Sequence, residues 1–177
     1  MIEDARGNLL NADAEALVNT VNCVGVMGKG IALQFKQAYP EMNKVYEKAC
    51  ERGEAEPGRM MVWETGGLSG PRYVINFPTK RHWIGKSSYK DIEAGLQALV
   101  SEVKSRNIGS IAIPPLGCGN GGLSWWKVRP MIENAFAALP EVRVLLYAPA
   151  GQPAAKDRII RTQRPRMSRA RALLILM

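Results

Sequence analysis

Apolar runs suited to strands alternate along this chain with segments of helical period, and this alternation narrows the fold more than any other feature. The runs are EALVNTV (15–21), RMMVWE (59–64), RYVINF (72–77), SIAIP (110–114) and VRVLLY (142–147). Within 88–106, Ile92, Leu96, Leu99 and Val103 fall at i, i+4, i+7 and i+11, one apolar stripe of an amphipathic helix. Ser88 and Asp91 resemble a capping box that opens it. Within 124–139, Val128, Ile132, Phe136 and Leu139 repeat the stripe behind Ser124 as N-cap. Segments 29–39 and 41–52 also read as helices, the second stopped by Gly53. Strand-helix alternation with continuous apolar strands predicts an α/β fold whose sheet is covered on both faces. RMMVWETGGLSGPRYVINF reads instead as two strands joined by a glycine-rich turn, so the sheet is expected to be mixed.

At 177 residues the chain suffices for one domain with a substantial core. The net charge of +8 would suggest nucleic acid, but its placement changes its meaning. Residues 1–150 carry 17 Lys and Arg against 15 Asp and Glu, a net of +2, while 151–177 carry seven basic residues and one acid. Overall charge therefore does not argue for DNA binding by the main domain. Cys23, Cys50 and Cys118 are odd in number and widely spaced, as free thiols in a reducing cytoplasm would be. With a single histidine and no CxxC, no structural metal is expected, and no cofactor is called for. No run of 18 apolar residues exists and the opening MIEDARGNLL is unlike a secretory signal, so a cytoplasmic protein without a membrane span is expected. Nothing in the pattern asks for more than a monomer.

Two units follow, 1–150 and 151–177. After Tyr147, APAGQPAAKDR reads as a linker by composition. RPRMSRARALLILM then begins a basic helix, with Ser168 as cap, whose apolar face has barely started at Met177. The expectation is that the natural chain continues; the other reading is a basic tail that docks on a partner or on the domain.

Two glycine-rich loops carry the functional signal. NTVNCVGVMGKGIALQF (19–35) and PPLGCGNGGLSW (114–125) each run from strand through glycines into helix. Glycines let backbone N–H groups approach an anion, and a helix N-terminus favours negative charge, so two such loops in one α/β domain suggest a diphosphate cleft. Neither loop has the GxxxxGK[ST] spacing, and neither is GxGxxG with an acid about 20 residues on, which disfavours a P-loop NTPase and a dinucleotide dehydrogenase. A third stretch, INFPTKRHW (75–83), ends a strand with Lys80, Arg81 and the lone His82 side by side.

GNLL after a first strand, ALVNTVN, GVMGKGIA and PPLGCGNGG together resemble the macro domain family over roughly residues 2–147. With NFPTKRHW, the resemblance is finest to the branch in DNA ADP-ribosyl glycohydrolase antitoxins. It implies a three-layer α/β/α fold around a central mixed sheet, with ADP-ribose across the strand ends. It also implies a substrate, DNA carrying ADP-ribose on a base, and a partner, the cognate DNA ADP-ribosyltransferase toxin, bound by a region after the macro domain. By the resemblance Asn8 and Leu9 meet the adenine, and Asn22, with Thr20 and Val21, ends the second strand at the distal ribose hydroxyls. Gly28, Gly30, Ile31, Ala32, Leu33 and Gln34 wrap that ribose and the first phosphate. Gly117, Cys118, Gly119, Asn120 and Gly121 close over the pyrophosphate, and Thr79 and Lys80 stand beside the anomeric carbon. Asn22 has an alternative role, capping its own loop.

Cleaving an N-glycosidic bond passes through an oxocarbenium-like state, for which two carboxylates are the usual device. Neither glycine loop nor 75–83 offers one. A related branch acting on proteins uses a lysine with an aspartate from the second glycine loop; Gly121 occupies that aspartate's position here. Lys80 is the candidate catalytic residue, as nucleophile or as base or acid, and His82 is a candidate support. A lysine nucleophile must be neutral, yet the ordinary pKa near 10.4 leaves roughly one in a few thousand so at pH 7. Burial, Arg81 or protonated His82 would lower it, whereas substrate phosphates would raise it. Trp83, directly after the candidate catalytic stretch, is a candidate to stack on a flipped base. The competing readings are a non-catalytic ADP-ribose reader, a hydrolase of ADP-ribose esters on protein or acetate, and an antitoxin acting only through basic residues 156–171.

Overall fold

The structure, a computed structural model, describes residues 1–151 and 153–161. Its strands are β1 (Ile2–Ala5), β2 (Ala16–Val21), β3 (Met61–Glu64), β4 (Tyr73–Pro78), β5 (Ser110–Ile113) and β6 (Arg143–Tyr147). Its helices are α1 (Gly30–Ala38), α2 (Pro40–Glu51), α3 (Tyr89–Ser105) and α4 (Trp125–Phe136), with short 3-10 turns at Leu9–Asn11 and Ala155–Asp157. The six strands form one sheet in the order β1-β6-β5-β2-β4-β3, parallel throughout except for β3 against β4. The sheet is mixed because the glycine-rich turn joins β3 to β4 directly, without a crossover helix.

Successive strand residues point to opposite faces, and each face is covered by one helix pair. Leu17 and Val21 of β2 pack with Phe35, Met42 and Tyr46 of α1 and α2. Ala16 and Val18 pack instead with Ile92, Leu96 and Leu99 of α3 and Val128 and Ile132 of α4. The apolar stripes of 88–106 and 124–139 are the buried faces of α3 and α4. Leu139 lies past the end of α4 yet stays buried, held by a turn in which its N–H donates to the Phe136 carbonyl at 2.9 Å.

The helix signals resolve unevenly. Ser88 caps α3, accepting from the Asp91 N–H at 3.2 Å, but the Asp91 carboxylate turns to Arg81 at 2.8 Å and leaves the box half formed. Ser124 stands at the N-cap of α4 without a side-chain bond, and its N–H donates to the Tyr89 hydroxyl at 3.1 Å. The hydropathy pattern misses β1, whose Glu3 and Asp4 break the apolar run. Its charges are paired, Glu3 with Arg143 at 3.0 Å and Asp4 with Arg129 at 2.8 Å. Of the two tryptophans opening α4, Trp125 packs against the core and Trp126 stands exposed.

The residues that follow the linker-like stretch fold back on the domain. Ile159 packs on the α1–α2 core, the Arg161 N–H donates to the Gln37 carbonyl at 2.8 Å, and its guanidinium lies 5.3 Å over the Tyr39 ring. The helix expected after Ser168 lies outside the described residues. Among the described residues no helix is long and apolar enough to cross a membrane, and no cluster of three metal-ligating side chains occurs. Cys23, Cys50 and Cys118 are free.

One glycine sets how closely α3 approaches the sheet. A Cβ on Gly95 would come 2.3 Å from Phe77 Cζ, inside a fully buried ring. A mid-helix glycine replaced by alanine normally gains about 1 kcal/mol. Overpacking reverses the sign here, and Gly95→Ala is expected to lose about 1–3 kcal/mol in urea unfolding; a gain would show that α3 can slide away at no cost.

Candidate functional site

Five strands run parallel, so their C-terminal ends share one edge of the sheet, and there the loops enclose a cleft of about 1020 Å³. In sheet order its walls come from residues within 6–9 after β1, 147–151 after β6, 114–121 after β5, 20–34 at the end of β2, and 79–84 after β4. From β1 to β4 is four inter-strand steps, about 19 Å. Asn8 therefore stands at one end of a long slot and Lys80 at the other. The charged side chains on its walls are Arg6, Lys29 and Lys80; among the described lining residues there is no Asp or Glu. Such a cleft selects for an anion.

The first glycine loop delivers the N-terminus of α1 to the middle of this slot. Lys29 takes the N-cap position with extended backbone and no side-chain cap, which leaves the first-turn N–H groups directed at the cleft. Gly30, at φ +58, makes a turn that side-chain-bearing residues rarely make, and Ile31, Ala32 and Gln34 follow it along the wall. The loops face each other closely, since a Cβ on Gly30 would lie 4.0 Å from Asn120 Nδ2. Gly117, Gly119, Asn120 and Gly121 form the opposing wall, with Gly117 at φ +70.

Most of the predicted residues meet here: Asn8, Leu9, Thr20, Val21, Asn22, Gly28, Thr79 and Lys80 all line the slot. Three do not. Leu33 points off the wall, His82 lies outside it, and Cys118 packs toward the α3–α4 core, with Sγ 3.5 Å from the Leu116 carbonyl. Burial pushes the Cys118 thiol up to about 11, so it stays protonated and offers the cleft only its backbone.

Asn22 is largely committed to its own loop. Its Oδ1 accepts from the N–H groups of Val24 (3.1 Å) and Val26 (3.3 Å), and its Nδ2 donates to the Val26 carbonyl at 2.7 Å. The buried Tyr46 hydroxyl sits 2.8 Å from Oδ1. One Nδ2 hydrogen remains for a ligand. Asn8 is half committed, its Oδ1 accepting from the Leu10 N–H at 3.0 Å and its Nδ2 left to the cleft.

Lys80 leaves the end of β4 half-buried, its Nζ donating to the Trp83 carbonyl at 2.9 Å. Burial holds its pKa below the ordinary lysine value, and the positive charges of Lys86 and Lys29 add to the shift. The expected cationic neighbours were Arg81 and His82, and here the structure corrects the sequence reading. Arg81 turns away to Asp91 at 2.8 Å, and His82 Nδ1 accepts from the Ile84 N–H at 3.4 Å. Lys86 carried no signal in the sequence, because its proximity arises only when the loop after β4 meets the second glycine loop. Lys29 was readable as the cation between two glycines. Arg6 and the 148–151 wall were missed, the latter hidden in a linker-like composition.

Gly121 has its own reason. A Cβ there would sit 2.3 Å from Ser87 Oγ and 2.5 Å from the Gly117 carbonyl oxygen, while the Ser87 N–H donates to the Gly121 carbonyl at 3.1 Å. The loop after β4 presses against the second glycine loop where an acid would otherwise stand.

An open parallel edge, two facing glycine loops and a cationic cleft, with a lysine at its end and no acid among its described lining residues, define an α/β protein with a long pocket at the strand ends. The macro domain family matches residues 18–132, and the chain belongs to it. A relative from Thermus aquaticus described as a DNA ADP-ribosyl glycohydrolase is 50% identical over 175 residues, covering 99% of this chain and 49% of its own. The solved macrodomain of Mycobacterium tuberculosis DarG is 57% identical with a TM-score of 0.84, covering 85% of this chain and 99% of that one. Thermosipho africanus DarTG, solved in complex with ADP-ribose, is 32% identical with a TM-score of 0.79, over 90% of this chain and 44% of that one. The chain spans less than half the length of the curated relatives it matches at 50% to 57% identity.

Restoring an acid at position 121 is therefore expected to damage the fold. Gly121→Asp should lower the thermal midpoint by about 2–12 °C, the overpacking cost spread over a domain of this size. An unchanged midpoint by scanning calorimetry would mean the two loops separate freely.

Proposed function

We propose that this protein is a DNA ADP-ribosyl glycohydrolase: it holds ADP-ribose along the slot and cleaves the N-glycosidic bond to a modified DNA base, with Lys80 as the catalytic residue. The observation that carries this reading is the placement of one half-buried lysine, shifted toward its neutral form, at the end of a cleft with cationic walls and no carboxylate. The relatives described as DNA ADP-ribosyl glycohydrolases and the relative solved with ADP-ribose support it.

In this reading the adenine lies toward Asn8 and Leu9, the diphosphate rests on the α1 N-terminus between the glycine loops, and the distal ribose reaches Thr79 and Lys80. No carboxylate stands among the described lining residues to serve the two-carboxylate route of glycosidases. Neutral Lys80 instead attacks the anomeric carbon: a carbon–nitrogen bond to Nζ forms as the bond to the base breaks, and the electron pair leaves with the base. The base takes up a proton as Nζ loses one, and water then displaces the lysine, releasing ADP-ribose and the free amine. The Trp83 carbonyl can orient Nζ by accepting one hydrogen while the lone pair faces the sugar. Other roles for Lys80, activating a water or protonating the base, use the same position.

The reading makes the protein an antitoxin that reverses the product of a DNA ADP-ribosyltransferase, in the cytoplasm and as a monomer. A relative from Thermosipho africanus described as a fusion of the transferase and the glycohydrolase supports that pairing. We place toxin contact in the basic segment 151–177, whose first residues also line the cleft.

Lys80→Ala is expected to abolish release of ADP-ribose from modified single-stranded DNA, measured by chromatography, while free ADP-ribose still binds within a few fold by calorimetry. Release at the native rate would end the lysine assignment. ADP-ribosylated protein tested alongside separates the DNA reading from an ester hydrolase, and no turnover on either substrate would leave a reader of ADP-ribose.

The pH dependence separates an unprotonated role of Lys80, as nucleophile or as base, from a proton-donating one. A nucleophile works unprotonated, so kcat/KM rises with pH through the lowered pKa of the free enzyme. Lys86→Gln removes a neighbouring positive charge and should move that rise to higher pH. A proton donor would give the opposite slope, kcat/KM falling as pH passes the same pKa.

A further inference from the structure

We propose that the exposed surface around the Lys80 end of the cleft is a docking slot for a single DNA strand, in which the Trp83 ring stacks on a base flanking the modified nucleotide. This rests on the assignment of the cleft to ADP-ribose attached to DNA. Exposure grows outward along the loop after β4: Thr79 is buried, Trp83 is 49% exposed and Ile84 69%. On the neighbouring loop after β2, Val24 and Val26 are 44% and 41% exposed. Backbone bonds hold the two loops side by side. The Cys23 N–H donates to the Arg81 carbonyl at 3.2 Å, the Cys23 thiol lies 3.5 Å from the Lys80 carbonyl, and the Thr79 N–H donates to the Val21 carbonyl at 2.9 Å.

This apolar rim continues directly from the cleft, since Val26, Trp83 and Ile84 also line it. The slot is about 19 Å long, and a ligand with its adenine at Asn8 emerges at Lys80 with whatever it is attached to. The Trp83 ring is braced in place, packed 5.7 Å from the His82 ring at 30°. Two cations flank the rim. Lys86 lies over the second glycine loop, its Nζ 3.7 Å from where a Cβ on Gly122 would be, and Lys29 stands exposed at the head of α1. The nearby acid, Asp91, is taken by Arg81. A flat aromatic face beside apolar side chains, with lysines at its margins, matches the alternation of planar base and phosphate along a single strand. An acidic peptide would satisfy the lysines and leave the aromatic and aliphatic groups uncovered.

The test compares three substrates: an ADP-ribosylated nucleoside, a five-nucleotide single strand carrying ADP-ribose on that nucleoside, and an ADP-ribosylated acidic peptide. The wild-type protein is expected to show a lower KM for the oligonucleotide than for the nucleoside. Trp83→Ala, which keeps the main-chain carbonyl that Lys80 Nζ donates to, should shrink that preference by about 5- to 150-fold, the range for removing one base-stacking partner. Trp83→Phe, which keeps a ring, should restore most of it, and thermal unfolding checks that both variants fold. Equal losses on nucleoside and oligonucleotide overturn the slot, as does an unchanged preference, or a peptide preferred over DNA by the wild type and lost in Trp83→Ala. Failure of the wild type to bind free ADP-ribose by calorimetry would instead remove the cleft assignment on which the slot rests.

Discussion

Three backbone hydrogen bonds hold the loop after β4 against both glycine loops, and the site depends on them. The Thr79 N–H reaches the Val21 carbonyl, the Cys23 N–H the Arg81 carbonyl, and the Ser87 N–H the Gly121 carbonyl, at 2.9, 3.2 and 3.1 Å. Two of these bonds, at Thr79 and Arg81, flank Lys80. Lys80 is half-buried, oriented by the Trp83 carbonyl, and within the field of Lys29 and Lys86. Because these are main-chain contacts, most side-chain substitutions in 79–87 leave them intact. Gly121 is an exception across the seam, since any side chain there meets Ser87.

The electrostatics of the cleft are one-sided, and this shapes the chemistry. Glycosidic cleavage usually relies on a negative group near the developing positive sugar. Here the walls carry Arg6, Lys29 and Lys80, and the diphosphate of the ligand would be the negative group nearest the reacting carbon. In the proposed reaction those phosphates would raise the lysine pKa as the protein's cations lower it, so the cations that favour a neutral Nζ would also neutralise the ligand that protonates it. Lys29 belongs to both tasks, standing between Gly28 and Gly30 at the head of α1.

A buried polar pair underlies the same end of the sheet. Asn19 of β2 and Asn76 of β4 are register partners in an otherwise apolar layer, joined by an Asn19 Nδ2 to Asn76 Oδ1 bond of 3.0 Å. Asn76 Nδ2 approaches Met42 Sδ at 3.1 Å and Asn19 Nδ2 approaches Met27 Sδ at 3.7 Å. A one-residue slip between β2 and β4 would strand both amides in the core. The pair thus fixes the relative height of two strands whose next residues are Asn22 and Thr79, and with it the alignment of the two loops that frame the Lys80 end of the cleft.

Much of this was legible along the chain. Periods of two and 3.6 residues are local properties, so the alternating strands and helices, the two-faced burial of the sheet, the β3–β4 hairpin and the glycine loops at strand ends all followed from sequence. β1 did not, because its acids are paired only across the fold, with Arg129 and Arg143. Lys80 stood out by its place at a strand end. Its surroundings were decided by tertiary structure alone: Arg81 and His82, adjacent in sequence, turn away, and Lys86 and Lys29 approach instead. The position of a side chain's neighbour in sequence says which way it can point, but a pKa answers to distance through space. Only the order of the strands, which brings three loops from different parts of the chain to one edge, sets those distances.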